Sequence, residues 1–222
     1  MVPTRGRPKR LAEMIDSFYA TQSGNARLVI YLNDDDPLRR DYKIPHVCEV
    51  IVGPRKFLAH AYNYLFERFP GYDYYAPVND DHIFLTPAWD VKLINMVEEL
   101  GHGWGLAAAE DHLTNWYDYE HPSGLVISGN IPRALGYIIW PEIQHIGIDC
   151  FFMHLMRGIK RLFFTPEVII EHRHWSNGKA LLDANYRWVY SHEQYQYGMG
   201  KVEEYMAHQY FIDLDKLKRA MS

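Results

Sequence analysis

The sequence predicts a single α/β domain, with a mainly parallel central sheet and helices on both faces. Apolar runs of strand length alternate with amphipathic stretches of helical period through the first hundred residues, the order expected of βαβ units. Three of the first four predicted strands end in polar clusters, at residues 3–7, 33–36 and 79–82. In a parallel sheet those ends share one rim, where open α/β sheets gather their ligands. The 222 residues suffice for one such core, without internal repeat or low-complexity linker.

The elements follow in order. A very short strand at residues 1–2 runs into the loop 3–8. A helix follows with Leu11, Met14, Ile15 and Phe18 on one face. Gly24-Asn25 makes a turn, residues 27–32 read as a buried strand, and 47–52 as another. A helix over 56–69 stops before Pro70-Gly71. Residues 72–78 form a strand, and 88–100 an amphipathic helix with Pro87 just before it. Strands at 105–109 and 125–128 flank a polar loop rich in Asp, His, Trp and Tyr. A helix over 149–157 ends at Gly158. Residues 162–165 and 168–171 read as two strands, and a polar helical extension runs from about residue 183 to 222.

Composition narrows the function classes. Lys and Arg number 23 against 28 Asp and Glu, a net charge of −5, which does not mark a general nucleic-acid or anionic-membrane binder. Two cysteines, Cys48 and Cys150, make no disulfide framework and no CxxC motif. Buried free thiols and a reducing compartment are expected. The first residues lack an apolar signal region, and no apolar run approaches the ~20 residues of a membrane span. A cytoplasmic protein without a membrane partner is expected.

The sharpest chemical feature is Asn79-Asp80-Asp81-His82, directly after an apolar, aromatic strand. Carboxylates bind Mg²⁺ or Mn²⁺, often together with a substrate's phosphates, and Mn²⁺ also accepts imidazole. A second cluster, Glu171-His172-Arg173-His174, follows another strand and offers such an imidazole. Acidic turns after strands also arise as plain Asx-turns. Asp149, opening a helix after a Gly-containing turn, reads either as a carboxylate facing a cleft or as an N-cap.

The order of these motifs resembles the GT-A fold of the family 2 glycosyltransferases. The residues that carry it are VPTRGRP (2–8), YLNDDDP (31–37), Arg55 with Asn63, YYAPVNDDH (74–82), SGN (128–130), IGIDCFF (146–152) and VIIEHRH (168–174). Most similar are small glycosyltransferase-like proteins of bacteriophages and prophages, through VGPR (52–55), DDH (80–82), ALGY (134–137) and the run at 170–180. The likeness spans roughly residues 2–188.

The resemblance implies a metal-dependent, inverting transfer of a sugar from a nucleotide-sugar donor, UDP-linked, to a hydroxyl. It implies Thr4, Arg5, Arg7 and Asp35 around the base and ribose, Arg55 near the diphosphate with Asn63, and Asn79, Asp80 and Asp81 as the acidic triplet. Asp81 is the implied metal ligand, joined by His172 with His174 as its competitor; the cofactor is Mn²⁺ or Mg²⁺. Asp149 matches the family's catalytic base. Two positions depart from the pattern: Asn79 stands for the first acid of the triplet, and Ile148 for the Glu that precedes the base. Such a reaction needs charge stabilised on the leaving diphosphate and a carboxylate to take the acceptor's proton.

For the acceptor, the phage likeness implies a 5-hydroxymethylpyrimidine in DNA within a phage-infected or prophage-bearing host. Trp116, Tyr117 and Asn130 are the expected acceptor contacts, and basic pairs at 39–40, 55–56 and 160–161 with the cluster 5–10 a phosphate-binding stripe. The alternatives are a glycan or small-molecule acceptor, or a non-catalytic sugar-nucleotide-binding module. A nucleotidyltransferase would need a glycine-rich phosphate loop, whereas the loop 2–8 has only Gly6. A two-metal phosphoesterase would need more ligands than the sequence offers.

Overall fold

The computed structural model of the chain describes residues 1–114, 116 and 120–222. Its elements are β1 (Val2–Thr4), α1 (Pro8–Thr21), β2 (Val29–Asn33), β3 (Glu49–Gly53), α2 (Leu58–Arg68), β4 (Tyr74–Tyr75), β5 (His82–Phe84), α3 (Trp89–Gly101), β6 (Leu106–Glu110), β7 (Leu125–Ser128), α4 (Asn130–Leu135), α5 (Ile148–Gly158), β8 (Leu162–His172), α6 (Ala184–Val189), α7 (His192–Glu204) and α8 (Tyr210–Met221). Strands β1, β2 and β3 pair in parallel in that order. The second sheet runs β4-β7-β6-β8-β5, with β6 parallel to β8 and its other pairings antiparallel. Met1 donates to the Ala76 carbonyl and accepts from the Val78 amide, which joins the two sheets through residues 76–78.

Side-chain alternation along the strands divides the core between the faces. On β2, Ile30 packs with α1 residues Leu11, Met14 and Ile15, while Val29 and Tyr31 meet Ala61 and Leu65 of α2. On β6, Ala107 and Ala109 face Leu93 and Val97 of α3; Leu106 and Ala108 face Phe151, Phe152 and Leu155 of α5. Helices therefore cover both faces, as expected.

Several boundaries moved for physical reasons. The strand expected over 72–78 pairs with β7 only at Tyr74 and Tyr75, because its remainder turns to Met1. Pro87 stands outside α3; Ala88 caps the helix from the left-handed region, φ 54°. The two strands expected at 162–165 and 168–171 are one, β8, whose register against β6 jumps from Ala109↔Thr165 to Glu110↔Ile169. Pro166, lacking an N–H, sits inside that jump. The C-terminal extension is helical as expected: α7 continues through a π turn (Tyr205–Gln209) into α8. It is not a mere polar tail, since Tyr205, Leu214 and Leu217 enter the main core. Both cysteines are buried and unbridged. No described helix is long and apolar enough to cross a membrane.

Candidate active site

The three polar clusters at the strand ends meet. Thr4, closing β1, donates its hydroxyl to Asp80 at 2.7 Å. The Gly6 amide donates to Asp36, and Arg5 forms an ion pair with Asp35. Arg7 reaches Asp80 at 3.0 Å and Asp81 at 3.3 Å. Asp36, rather than Asp35, is the buried acid of the second cluster; it also accepts from the Leu38 amide and the Tyr42 hydroxyl. Asp35 is solvent-exposed.

Strand pairing then builds a second layer. In the antiparallel pair of β5 and β8, His82 lies directly opposite His172, with ring centroids 4.6 Å apart. Asp81 immediately precedes β5, and its carbonyl accepts from the Arg173 amide, which locks the loop to the end of β8. Asp81, His82 and His172 thus each offer a ligand atom within 4.8 Å of the other two. Asp81 Oδ1 is 3.3 Å from His172 Nε2, within ion-pair range. Asp81 Oδ1, His82 Nε2 and His172 Nδ1 are all buried without a hydrogen-bond partner. Unsatisfied buried polar atoms are costly, and three in one spot mark a site that something else completes. A carboxylate joined by the His172 imidazole suits Mn²⁺ better than Mg²⁺, which prefers oxygen.

Burial pushes the Asp81 carboxyl up, but His172, His82 and Arg7 outweigh it and hold it well below the usual carboxylate range. Burial pushes Asp80 up, against the pull of Arg7. Burial drives His82 down to about 3, so its ring is neutral; Nδ1 accepts from the Asn79 amide, leaving the proton on Nε2. His172 is displaced upward, since Asp81 overcomes its desolvation. Asp81 thus favours the protonated form of His172, and a cation entering there competes with that proton.

A cavity of about 160 Å³ opens beside this cluster, lined by Arg5, Arg7, Arg55, Lys56, Asn79, Asp80 and Asp81 together with His145, His172 and His174. Its far wall is α6. The Tyr186 hydroxyl donates to Asp81 Oδ2 at 2.5 Å, and the Arg7 guanidinium lies 4.2 Å over the Tyr186 ring. Asp183 caps α6 by accepting from the Tyr186 amide and also holds Arg7 at 2.8 Å. Trp188 stacks on Phe57, with ring planes 6° apart. Nothing in the family likeness assigned this wall. Its signal in the sequence was the aromatic spacing of Tyr186, Trp188 and Tyr190 inside a stretch otherwise read as polar helix.

Other expected contacts lie elsewhere. Asn63 is buried outside the cavity lining; its amide accepts from the Ile138 and Ile139 amides and donates to the Ile139 carbonyl, which ties it to that backbone. Asn130 donates to the Gly103 carbonyl and accepts from Arg133. Trp116 stacks on Phe164 at 4.4 Å, packed against the core rather than presented to an acceptor. Tyr117 lies outside the described residues. His174 lines the cavity, but its Nδ1 accepts from the Ser176 amide and it is not in the metal-type cluster. Asp149 opens α5 beside the cavity rather than on its lining, with Oδ2 3.6 Å from His121. Tyr190, on the lining, lies within electrostatic range of both Asp149 and Asp81; burial and those two charges push its phenol up to about 12.

No protein-family model matches the sequence, and no curated protein does. The fold, by contrast, has relatives among solved structures. It is similar to that of the mannosyltransferase PcManGT from Pyrobaculum calidifontis in complex with GDP-Man and Mn²⁺, with a TM-score of 0.57 and 13% identity over 99% of this chain and 72% of that one. It is similar to S. aureus TarS 1-349, with a TM-score of 0.56 and 12% identity over 76% of this chain. The complex of TarS with UDP-GlcNAc gives a TM-score of 0.55 at 11% identity. The chain spans 58% of the TarS chain. At these identities the likeness is one of fold: the α/β architecture expected from the sequence is that of glycosyltransferase structures.

Proposed function

We propose that the chain is a metal-dependent glycosyltransferase that moves a sugar from a nucleotide-sugar donor to an alcohol. The observation that carries this reading is the buried Asp81–His82–His172 cluster, with its three unpartnered polar atoms, at the rim of a sheet shared with glycosyltransferase structures. Asp81 and His172 hold Mn²⁺, with His82 behind them. When bound, the cation supplies a Lewis acid that stabilises charge on the departing diphosphate. Arg55 and Lys56, on the cavity wall, add positive charge for the phosphates. Thr4 and Arg7 keep the Asp80 and Asp81 carboxylates oriented. Tyr186 fixes the second oxygen of Asp81. Asp149 takes the acceptor's proton, and a single displacement of this kind inverts the anomeric centre.

UDP is the donor nucleotide favoured by the sequence, and GDP is the alternative to test beside it. Among acceptors, a saccharide or small alcohol is better supported than a hydroxymethylated DNA base. Within the expected phosphate stripe the 5–10 cluster is spent inside the fold, since Arg5 pairs with Asp35 and Arg7 with Asp80, Asp81 and Asp183, which leaves the pairs at 39–40, 55–56 and 160–161. Arg10 bonds the Tyr186 hydroxyl.

The test is a thermal-shift and donor-hydrolysis screen of UDP- and GDP-sugars with and without Mn²⁺, with transfer scored by mass on saccharide and hydroxymethylated-DNA acceptors. The expected result is a Mn²⁺-dependent rise in Tm with one diphosphate and slow release of that diphosphate from its sugar. A Tm rise without any turnover makes the chain a binding module, and neither effect with any nucleotide removes the reading.

A further inference from the structure

Outside the cavity lining, α5 opens with Asp149 and Cys150 in succession, and His121 approaches both. His121 Nδ1 is 3.6 Å from Asp149 Oδ2, and its Nε2 is 3.9 Å from Cys150 Sγ. Asp149 Oδ1 accepts from the Cys150 amide, which orients the carboxylate. A ligand atom from each of the three residues lies within 4.8 Å of the other two. Ligands bonded tetrahedrally at 2.0–2.3 Å stand roughly 3.3–3.8 Å apart, so small side-chain rotations close this set around an ion. His154 follows Cys150 by four residues, on the same face of α5, and lies within electrostatic range of His121. A second imidazole is therefore at hand.

The donor set differs in kind from the one at the rim. Asp81, His82 and His172 offer oxygen and nitrogen. His121, Asp149 and Cys150 add a sulfur, which selects zinc-class cations over Mn²⁺ and Mg²⁺. We infer that His121, Asp149 and Cys150 form a second cation site, specific for Zn²⁺-like ions, one of whose ligands is the carboxylate assigned above as the base. Binding replaces the Cys150 Sγ–H bond with an S–metal bond and releases the proton to solvent. Occupation also holds Asp149 away from an acceptor, so Zn²⁺ inhibits transfer; that consequence alone rests on the proposed function.

The experiment titrates the full chain with Co²⁺, a spectroscopic stand-in for Zn²⁺. The expected spectrum shows one thiolate-to-cobalt charge-transfer band in the near ultraviolet with tetrahedral ligand-field absorption. Zn²⁺ in stoichiometric amount bleaches both, and excess Mg²⁺ leaves them. Cys150→Ser removes the band and His121→Ala weakens Co²⁺ binding at least about 10-fold, with circular dichroism confirming that each variant is folded. Cys48→Ser and Asp81→Asn retain the band, which separates this site from the other thiol and from the rim. A Co²⁺ spectrum without a thiolate band, or one that survives Cys150→Ser, overturns the site. Inhibition of Mn²⁺-dependent donor turnover by Zn²⁺, relieved in Cys150→Ser, supports the link to the base. Persistence of that inhibition in Cys150→Ser overturns the link, and loss of turnover altogether leaves the Co²⁺ result standing by itself.

Discussion

The cavity between β2 and β4 measures about 420 Å³, against about 160 Å³ for the cavity at the rim. The larger one lies beside Met1, at the amino ends of the parallel strands, among Phe18, Phe84, Trp89 and Ile94. Its buried carboxylate, Asp90, is satisfied by the Ser23 amide and hydroxyl. Trp89 Nε1 is buried there without a partner, a single neutral donor. The smaller cavity is lined by Asp81 and His172, with His82 buried behind His172, and one ring nitrogen of each histidine goes without a hydrogen-bond partner. Volume records what packing leaves unfilled. Clustered polar atoms that the chain itself leaves unsatisfied mark a place for chemistry. The contrast is the basis for proposing that the larger cavity's walls serve stability and the smaller one's serve binding.

The strongest way to break that contrast is a large truncation in the apolar cavity. Trp89 is 2% exposed and meets Phe84 at 4.6 Å and Phe18 at 5.9 Å. Trp89→Ala should cost about 3–5 kcal/mol in urea unfolding. Affinity for Mn²⁺ and a nucleoside diphosphate should change less than about 2-fold, because Trp89 touches no rim residue through any of these contacts. A variant that folds well yet loses ligand affinity would place the binding site on the wrong side of the sheet.

Next in size is the rim itself. Asp81→Asn keeps the shape of the side chain and removes the charge that holds His172 and Arg7. Calorimetry should show Mn²⁺-dependent diphosphate binding weakened at least about 100-fold, with thermal unfolding still cooperative. Equal affinity in the two proteins would empty the rim of its function.

How far the sequence revealed these regions depends on the range of the contacts. Local signals were reliable: the apolar spacing of Leu11, Met14, Ile15 and Phe18 is the buried face of α1, and the polar strand ends do converge. The pairing of His82 with His172 depends on the β5–β8 register over ninety residues of sequence, and no local pattern encodes that. β5 was missed outright, since three residues offer too little periodicity. The resemblance put His172 ahead of His174 as the metal-binding histidine without excluding the latter, and strand register and the Ser176 turn separate them. Asn63 shows the opposite failure: a position matched to a functional motif turned out to tie its amide to the 138–139 backbone.

The α6 wall sharpens the contrast at a finer scale. Tyr186 is 5% exposed and its hydroxyl serves Asp81. Tyr186→Phe keeps the ring under Arg7 and deletes that one bond. Metal affinity should fall about 10-fold, the size typical of a partner that orients a ligand, while unfolding shifts by about 1 kcal/mol. Unaltered metal binding would mean that Arg7 and His172 orient Asp81 without help from the C-terminal helices.

The smallest effect expected is a pH dependence peculiar to the polar cavity. His145 lines it, and burial pushes its imidazole down to about 4. The folded protein therefore keeps His145 neutral, while the unfolded chain protonates it near the ordinary value of about 6.5. Between those two values the unfolded state binds more protons, so stability falls as pH drops and is fully present above about 6.5. The full shift would be worth about 3 kcal/mol, and residual solvent contact reduces it to about 1 kcal/mol. His145→Gln has no proton to gain. Its unfolding free energy should decline less than that of the parent between pH 7 and pH 4, by that margin, with the two proteins running parallel above pH 7. The larger cavity has no histidine on its lining, so Trp89→Ala should keep the parent's acid slope. Parallel curves for His145→Gln and the parent down to pH 4 would show that His145 is solvated in the folded state, and the polar cavity would then be more open than its walls suggest.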